Sequence, residues 1–500
     1  MDEHKLEASS HEVEFASIES EELREFAALQ QIFASDERRK QLLRKLDWRL
    51  IPPLAMCYLL AWIDRGNMGN GRVFGLEKDL NLTSAEYNYC LMVFFFSYAA
   101  IEIPGALAMK RFGPAVVLPI IMLSFGIVTV ASGFTQNFGG LITCRFFLGA
   151  AEGYLFPATG LILSLWYTGA ELQKRIAGFY CSAAAAGAFS GLLAYAIANL
   201  DHVLGHRAWR WIFWIEGSFT VLFGILSIFI ILDVPEKTGK WLTDEERRYL
   251  VLRKRYEHGA VPVGNQAGAR YLKQALLDWK VYAASLWYFS NAVANYGLTY
   301  TMPTILVSFG YSAARAQAMT APPFVFACLA TVGVSFLADR TQRRAIWIFW
   351  SYLIVSAAYI IIIVTARHPH LSGVTYGAIF FAAAGLYMAA PCYVAFLGIN
   401  IHGQVKRANG LAIQTLIGTL GGAVGSNIYL TEQKPEYPLG FGLSMGVIVA
   451  AGLVALVTHV SMLHINKKRD KMDPGAIHQR YTSEELSELG DKSPLFRYSP

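Results

Sequence analysis

Charge is what this 500-residue chain has least of. Asp, Glu, Lys and Arg make up 16% of it, against about 25% in an ordinary soluble domain. A soluble globule of this length would not need 54% hydrophobic residues. Six cysteines (Cys57, Cys90, Cys144, Cys181, Cys328 and Cys392) all lie in apolar blocks at sparse spacing. That pattern excludes a disulfide framework and a zinc site and leaves small packing residues. No Walker A lysine motif, HExxH or paired-cysteine site occurs. No cofactor or metal is therefore expected, and no nucleophile constellation supports an enzyme. The start, "MDEHKLEASS", lacks the basic opening and apolar run of a cleaved signal peptide. The first apolar span is expected to act as its own insertion signal.

What the chain has in quantity is apolar sequence in blocks about 20 residues long, enough for a helix to cross a bilayer. Twelve can be marked, near 50–70, 85–109, 114–133, 138–166, 176–199, 211–232, 280–308, 317–338, 345–365, 373–397, 408–430 and 439–464. Only helices and closed barrels satisfy their backbone in lipid, so these blocks predict an all-α membrane protein of twelve transmembrane helices. A polar stretch, 233–275, separates six spans from six. It contains "TDEERRYLVLRKRY", where Thr243 and Glu246 have capping-box spacing, so a surface helix is expected. The domains read as an N-terminal tail (1–46), a six-helix half (47–232), a linker (233–275), a second six-helix half (276–465) and a C-terminal tail (466–500). Both tails are polar and expected to be largely disordered.

Lysine and arginine orient the chain. With both tails in the cytosol, 33 of the 43 basic residues fall on the inner side, in the tails, the linker and four short loops. The same asymmetry accounts for the net charge of +6, so no nucleic-acid partner is implied. The halves also look like repeats. "QKRIAG" (173–178) matches "VKRANG" (405–410), and the same offset of 232 sets "AAEG" (150–153) against "AAAG" (382–385) and Arg111 against Arg343. Parallel repeats about an axis along the membrane normal are a transporter architecture.

The repeat serves as an internal control. Glu152 corresponds to Ala384, Arg145 to Gly377, Asp64 and Arg65 to Tyr296 and Gly297, Glu102 to Val334, and Glu216 to Ile448. The embedded charges thus lie almost wholly in the first half. An ionised residue near mid-bilayer costs about 3 kcal/mol on insertion scales. Something must offset that cost in the first half alone, and function is the natural candidate.

In "RFFLGAAEGYLFPATG" (145–160), Arg145 and Glu152 are two helical turns, about 10 Å, apart on one face. That is too far for a direct pair but close enough to flank a small guest, with Gly149 between them leaving room. Arg65 and Arg145 are candidate substrate ligands, because a guanidinium fork binds both oxygens of a carboxylate. Glu152 is the candidate proton carrier. The competing reading has these charges pairing with other helices to hold the bundle. Asp64 points about 100° away from Arg65 around the helix. It is either a second proton carrier or the structural partner of an arginine elsewhere. Asn291 and Asn295, one turn apart, are candidate substrate contacts. Tyr296, Tyr300, Tyr387, Tyr393, Asn400 and Gln414 add further neutral polarity, with interhelical hydrogen bonds as the alternative. Glu102 beside Arg111, and Asp339, Arg340 and Arg343 between spans eight and nine, are gate candidates. Against them stand a structural salt bridge at Glu102 and simple positive-inside anchoring at the loop. Glu216 in "WRWIFWIEG" reads as a local structural carboxylate. Small-xxx-small pairs (Gly187 with Gly191, Gly418 with Gly422, Gly421 with Gly425) read as packing, and the chain as a monomer. Asn81-Leu-Thr83 is a glycosylation sequon so near the membrane that its use is not expected.

Together, "LDWRLIPPLAMCYLLAWIDRGNMGNGRV", "EIPGALAMKRFGP", "RFFLGAAEGYLFP", "WRWIFWIEG" and "VPEKTGKWLTDEER" resemble the major facilitator superfamily. Within it the resemblance is to the anion:cation symporter family, in its fungal allantoate-permease-like branch, over roughly residues 47–465. It implies secondary active transport, commonly proton-coupled uptake of small organic anions or carboxylate-bearing nutrients such as vitamins and ureides. It puts Arg65 and Arg145 on the family's first- and fourth-span arginines and Glu152 on its fourth-span glutamate. Asp339 and Arg340 match the superfamily's inter-span loop, although Ser335 replaces the usual glycine and the first-half copy, "GALAMKRFG", lacks the Asp. Span seven has Asn291 and Asn295 where animal anion carriers also have an arginine. A substrate smaller or less charged than a dianion is therefore expected.

The expected protein is a proton-coupled importer of a small organic anion, embedded in a lipid bilayer, by default the plasma membrane. Its rival is a proton-antiport exporter of a secondary metabolite, against which stands the lack of a Gly-Pro dipeptide in span five. A non-transporting nutrient receptor would bind ligand without accumulating it.

Overall fold

A computed structural model describes residues 22–500 apart from 34, 168, 238–240, 258–264, 435, 474–476, 478, 483, 484, 487 and 488. Twelve long helical segments occupy the apolar blocks: α1 (Asp36–Val73), α2 (Ser84–Phe112), α3 (Pro114–Ser132), α4 (Phe138–Glu152 and Leu155–Trp166), α5 (Gly169–Ile197), α6 (Ala208–Ile230), α7 (Trp279–Ser308), α8 (Ala313–Thr341), α9 (Arg344–Thr365), α10 (Ser372–Asn400), α11 (Gln404–Gly425) and α12 (Pro438–Asp470). Among the described residues there is no strand. Several of the turns between helices are short. Gly113 alone joins α2 to α3, at φ 80°, where an L side chain would be strained, and Pro114 opens α3.

Eight of these segments (α1, α3, α4, α6, α8, α9, α10 and α12) are long and apolar enough to cross a membrane by length and composition alone. The other four are α2, α5, α7 and α11. They pack across the seam between the halves: α5 on α8, α2 on α11 and α7 on α1. A polar group that faces another helix escapes the penalty of facing lipid. Within each half the packing repeats. α1 lies on α5, α2 on α4 and α3 on α6; correspondingly α7 lies on α11, α8 on α10 and α9 on α12.

The fourth helix is broken at residues 153–154. Pro157 explains the place. Its ring has no N–H and would meet the carbonyl four residues back, at Gly153. Glu152 is thereby the last residue of the first piece.

Small residues let the helices close up. A β-carbon at Gly191 of α5 would overlap Gln317 and Thr320 of α8, as the packing reading of these glycines requires. Gly149 corrects an expectation: a β-carbon there would overlap the Phe94 carbonyl and the Ser97 hydroxyl of α2. Helix α2, not a guest, fills the space between Arg145 and Glu152.

At the end of the bundle that bears both tails, Asp47 of α1 takes Arg175 in a two-pronged contact (2.5 and 2.8 Å) and the Tyr167 hydroxyl (2.8 Å). In the second half, Asp278 at the start of α7 takes Lys406 (2.8 Å) and Lys280 (3.1 Å). The two acids sit in the same tripeptide, Leu-Asp-Trp, at 46–48 and 277–279.

The tails are more ordered than expected. The helix over 22–33 stacks Phe33 on Tyr249 of the linker helix Asp244–Glu257 (4.4 Å between ring centres). That helix starts with the expected Thr243–Glu246 capping box (2.9 and 3.2 Å). At the other terminus the chain folds back. Asp491 is 1% exposed and lies between Lys280 (2.6 Å) and Lys406 (2.8 Å). Ser499 and Tyr498 bond to Asn400 and Asn466, and Arg469 donates to the Phe496 carbonyl (2.8 Å). Residues 1–21 lie outside the described part.

Burial alone would raise the Asp491 carboxyl, but Lys280 and Lys406 outweigh it and hold it below the usual carboxylate range. A depressed acid stabilises the fold above its unfolded value, near pH 4, and loses that contribution as pH falls further. Asp491→Asn should therefore lower the thermal midpoint at pH 7, by about 3 kcal/mol of stability for a buried pair losing one member. Thermal scans of the two proteins should converge below about pH 4; a gap independent of pH would contradict the tail clamp.

Candidate functional site

The site begins on one turn of α1. Arg65 is 8% exposed, and a lone guanidinium at this depth would be costly. Its Nη2 lies 2.6 Å from Glu152 Oε1, at the break in α4. Its Nη1 donates to the Tyr296 hydroxyl of α7 (2.8 Å). The rings of Trp62, Phe94 and Tyr98 flank it, with ring centres 5.2, 5.6 and 5.2 Å from Arg65 Cζ. Aromatic faces attract a cation and exclude water. Three helices thus meet on one arginine, and the hydrogen bond to Tyr296 crosses the seam.

Asp64, pointing elsewhere as the helical geometry requires, accepts from Thr129 (3.0 Å) and Asn67 (3.2 Å). Arg145 is buried, 5.9 Å from the centre of the Phe213 ring. It makes no ion pair with Glu152, and its charge bears on Asp64 as well. Glu216 of α6 is buried close enough to Asn67 and Asp64 to interact with both. Several polar atoms here make no hydrogen bond: Asp64 Oδ2, Asn67 Oδ1, Arg145 Nε and Nη2, and both carboxylate oxygens of Glu216. A nest of this polarity is suited to ordered water. The first half therefore holds two polar centres, Arg65–Glu152 at the seam and Asp64–Arg145–Glu216 inside.

Beside the first centre a cavity lies between the halves, lined by Tyr58, Trp62, Tyr288, Asn291, Asn295, Tyr296, Tyr387 and Tyr393 among others. The space open to water there is about 40 Å³, room for about three molecules. Asn291 and Asn295 are both on its wall, and the Asn291 amide also donates to the Leu386 carbonyl (2.8 Å). Asn400 and Gln414 serve as interhelical or tail hydrogen bonders instead. At the end away from the tails the seam is closed: Gln317 donates to the Asn70 carbonyl (3.5 Å), and Gly69 lies on the Tyr300 backbone.

The gate candidates are dispersed. Glu102 is buried with Oε2 unpaired, so the structural salt bridge expected of it is not what holds that oxygen. Arg111 is exposed against the Phe112 ring. Asp339 takes Arg344 of its own half (2.6 Å), and Arg340 and Arg343 are exposed. Trp62, Tyr58 and Tyr288 were missed from sequence. The signal for Trp62 was present, since it precedes Arg65 by three residues and shares its face.

Residues 54–426 match the sequence profile of the Major Facilitator Superfamily. The chain belongs to the Major Facilitator Superfamily. It is 40% identical over 487 residues to the MFS-type transporter cnsO of Penicillium expansum, covering 95% of this chain and 93% of that one. It is 28% identical over 471 residues to the high-affinity nicotinic acid transporter of Saccharomyces cerevisiae, covering 93% and 85%. In fold it matches the proton:xylose symporter XylE bound to 6-bromo-6-deoxy-D-glucose, with a TM-score of 0.65 at 18% identity over 82% of this chain and 95% of that one. The protein is thus a multi-pass integral membrane transporter of this superfamily, and not an enzyme.

Removing one member of a buried ion pair costs about 3–5 kcal/mol, because the other charge is left uncompensated. Glu152→Ala and Arg65→Met should each lower the unfolding midpoint in detergent, and the double variant should be more stable than either. Losses that simply add would mean that the two residues do not depend on each other.

Proposed function

We propose that this transporter couples the uptake of a small carboxylate-bearing solute to an inward flow of protons. The observation that carries this reading is the contact of one arginine with both a titratable acid and the opposite half. While Glu152 is ionised it neutralises Arg65. A proton on Glu152 removes that charge and leaves Arg65 free for an anion. The substrate carboxylate then binds the guanidinium bidentately and competes with the Tyr296 hydroxyl for it. Because Tyr296 belongs to the second half, filling the site alters the seam on which alternating access turns.

Arg145, with two nitrogens unbonded, and Asp64 form a second charged step in the same half. Both serve this function if the proton reaches Glu152 through the inner nest. Asp339, Arg340 and Arg343 with Glu102 and Arg111 line the ends that part during opening. With both termini cytosolic, as the basic residues favour, the closed end of the seam faces outward. The plasma membrane is the default location. The nicotinic acid transporter among the relatives carries a carboxylate-bearing solute by its name, which supports placing this chain with the anion:cation symporters of the superfamily.

The test is uptake into proteoliposomes under an imposed pH gradient, with a panel of vitamins, ureides and organic acids. Accumulation should require an acid exterior and vanish when the gradient is collapsed. Glu152→Gln should abolish gradient-driven accumulation while keeping exchange of internal for external substrate. Accumulation by Glu152→Gln would refute the proton role, and transport indifferent to the gradient would refute symport.

A further inference from the structure

We infer that the solute is flat: an aromatic or heteroaromatic monocarboxylate whose ring enters between Trp62 and Tyr296 while its carboxylate takes Arg65. This rests on the reading of Arg65 as a carboxylate receptor.

The cavity wall is made chiefly of ring faces. Trp62 and Tyr296 are parallel to within 3°, with ring centres 5.8 Å apart. Tyr288 and Tyr393 form a second stack on the same cavity, at 22° and 5.1 Å. Phe95 meets Tyr296 edge-on (71°, 4.8 Å), which fixes the plane of that ring. The Trp62 indole N–H is buried beside the Tyr58 hydroxyl. Such a wall offers π faces on which a flat ring can lie, with tyrosine hydroxyls and the Asn291 and Asn295 amides as the polar groups around them. A planar ring prefers this surface, because stacked and edge-on arrangements add to the gain from burial.

The geometry also explains how the slot opens. Trp62 is on α1 and Tyr296 on α7, so the two faces belong to opposite halves. A ring between them needs about 7 Å, two contacts of roughly 3.5 Å. Stacked rings are about 3.5 Å apart face to face, so the halves must part by roughly another 3.5 Å to admit it. In the closed seam the two residues stack on each other; in the loaded site the substrate ring replaces that contact. Arg65 is at the rim of the same slot, 5.2 Å from the Trp62 ring centre and bonded to the Tyr296 hydroxyl. A carboxylate on the ring edge is thus delivered to the guanidinium, where it displaces the tyrosine. An aliphatic ring of equal size is thicker and has no π face.

The test is calorimetric binding to the full chain in lipid nanodiscs with three probes: benzoate, cyclohexanecarboxylate and benzamide. Benzoate should bind about tenfold more tightly than cyclohexanecarboxylate, and benzamide should not bind. Trp62→Leu should erase the preference and Trp62→Phe should keep it, which separates loss of the ring face from misfolding. Equal affinity for benzoate and cyclohexanecarboxylate would overturn the flat slot and leave the carboxylate reading standing. Benzamide binding as tightly as benzoate would overturn the carboxylate reading and leave the slot. No binding of benzoate, or a preference that persists in Trp62→Leu, would overturn the proposal.

Discussion

One buried ion pair, Arg65 with Glu152, sets the terms for the centre of this transporter. A guanidinium in mid-bundle is tolerable only with a counter-charge and a shell that keeps lipid away. The chain supplies both: Glu152 at 2.6 Å and aromatic rings around Arg65. The pair is also unequal in what it can exchange. Arginine keeps its proton throughout, whereas a carboxylate can take one up. The state of the pair is therefore set on the glutamate side and felt on the arginine side. Arg65 also holds Tyr296 of the other half, and on the proposed reading this contact carries a change of charge at Glu152 to the seam.

The rest of the fold makes that pair possible. Pro157 breaks α4 just after Glu152, and Gly149, one turn earlier, brings α4 against the α2 backbone. The carboxylate is thereby carried toward α1. The division of labour between the halves follows. The first half contains the embedded charges. The second contributes tyrosines and asparagines, which form a cavity wall at little electrostatic cost. At the tail-bearing end, related clamps recur in both halves, Asp47 with Arg175 and Asp278 with Lys406, and the C-terminal segment adds Asp491 to the second.

The spans were legible in the sequence because lipid imposes a length and a polarity on each one independently of its neighbours. The capping box at Thr243, the packing glycines of α5 and the divergence of Asp64 from Arg65 were legible because they depend only on local helix geometry. Partner choice was not. Nothing in the sequence alone says that Glu152 faces α1 rather than a guest beside Arg145, because that is decided by how α2, α4 and α1 meet. Gly149 was misread for the same reason. The C-terminal segment looked like a free polar tail because its anchor is a pair of lysines more than 80 residues away in sequence. Glu216 looked like an isolated structural acid until α6 was set against Asn67 of α1.

The most direct measure of the link between proton and anion is a proton count. Benzoate binding to the reconstituted chain, followed by calorimetry in two buffers of different ionisation enthalpy, reports how many protons enter with the ligand. If Glu152 must lose its charge before Arg65 can receive a carboxylate, close to one proton should be taken up per benzoate at neutral pH, and none in Glu152→Gln. Benzoate binding to the unaltered chain with no proton uptake would contradict that link.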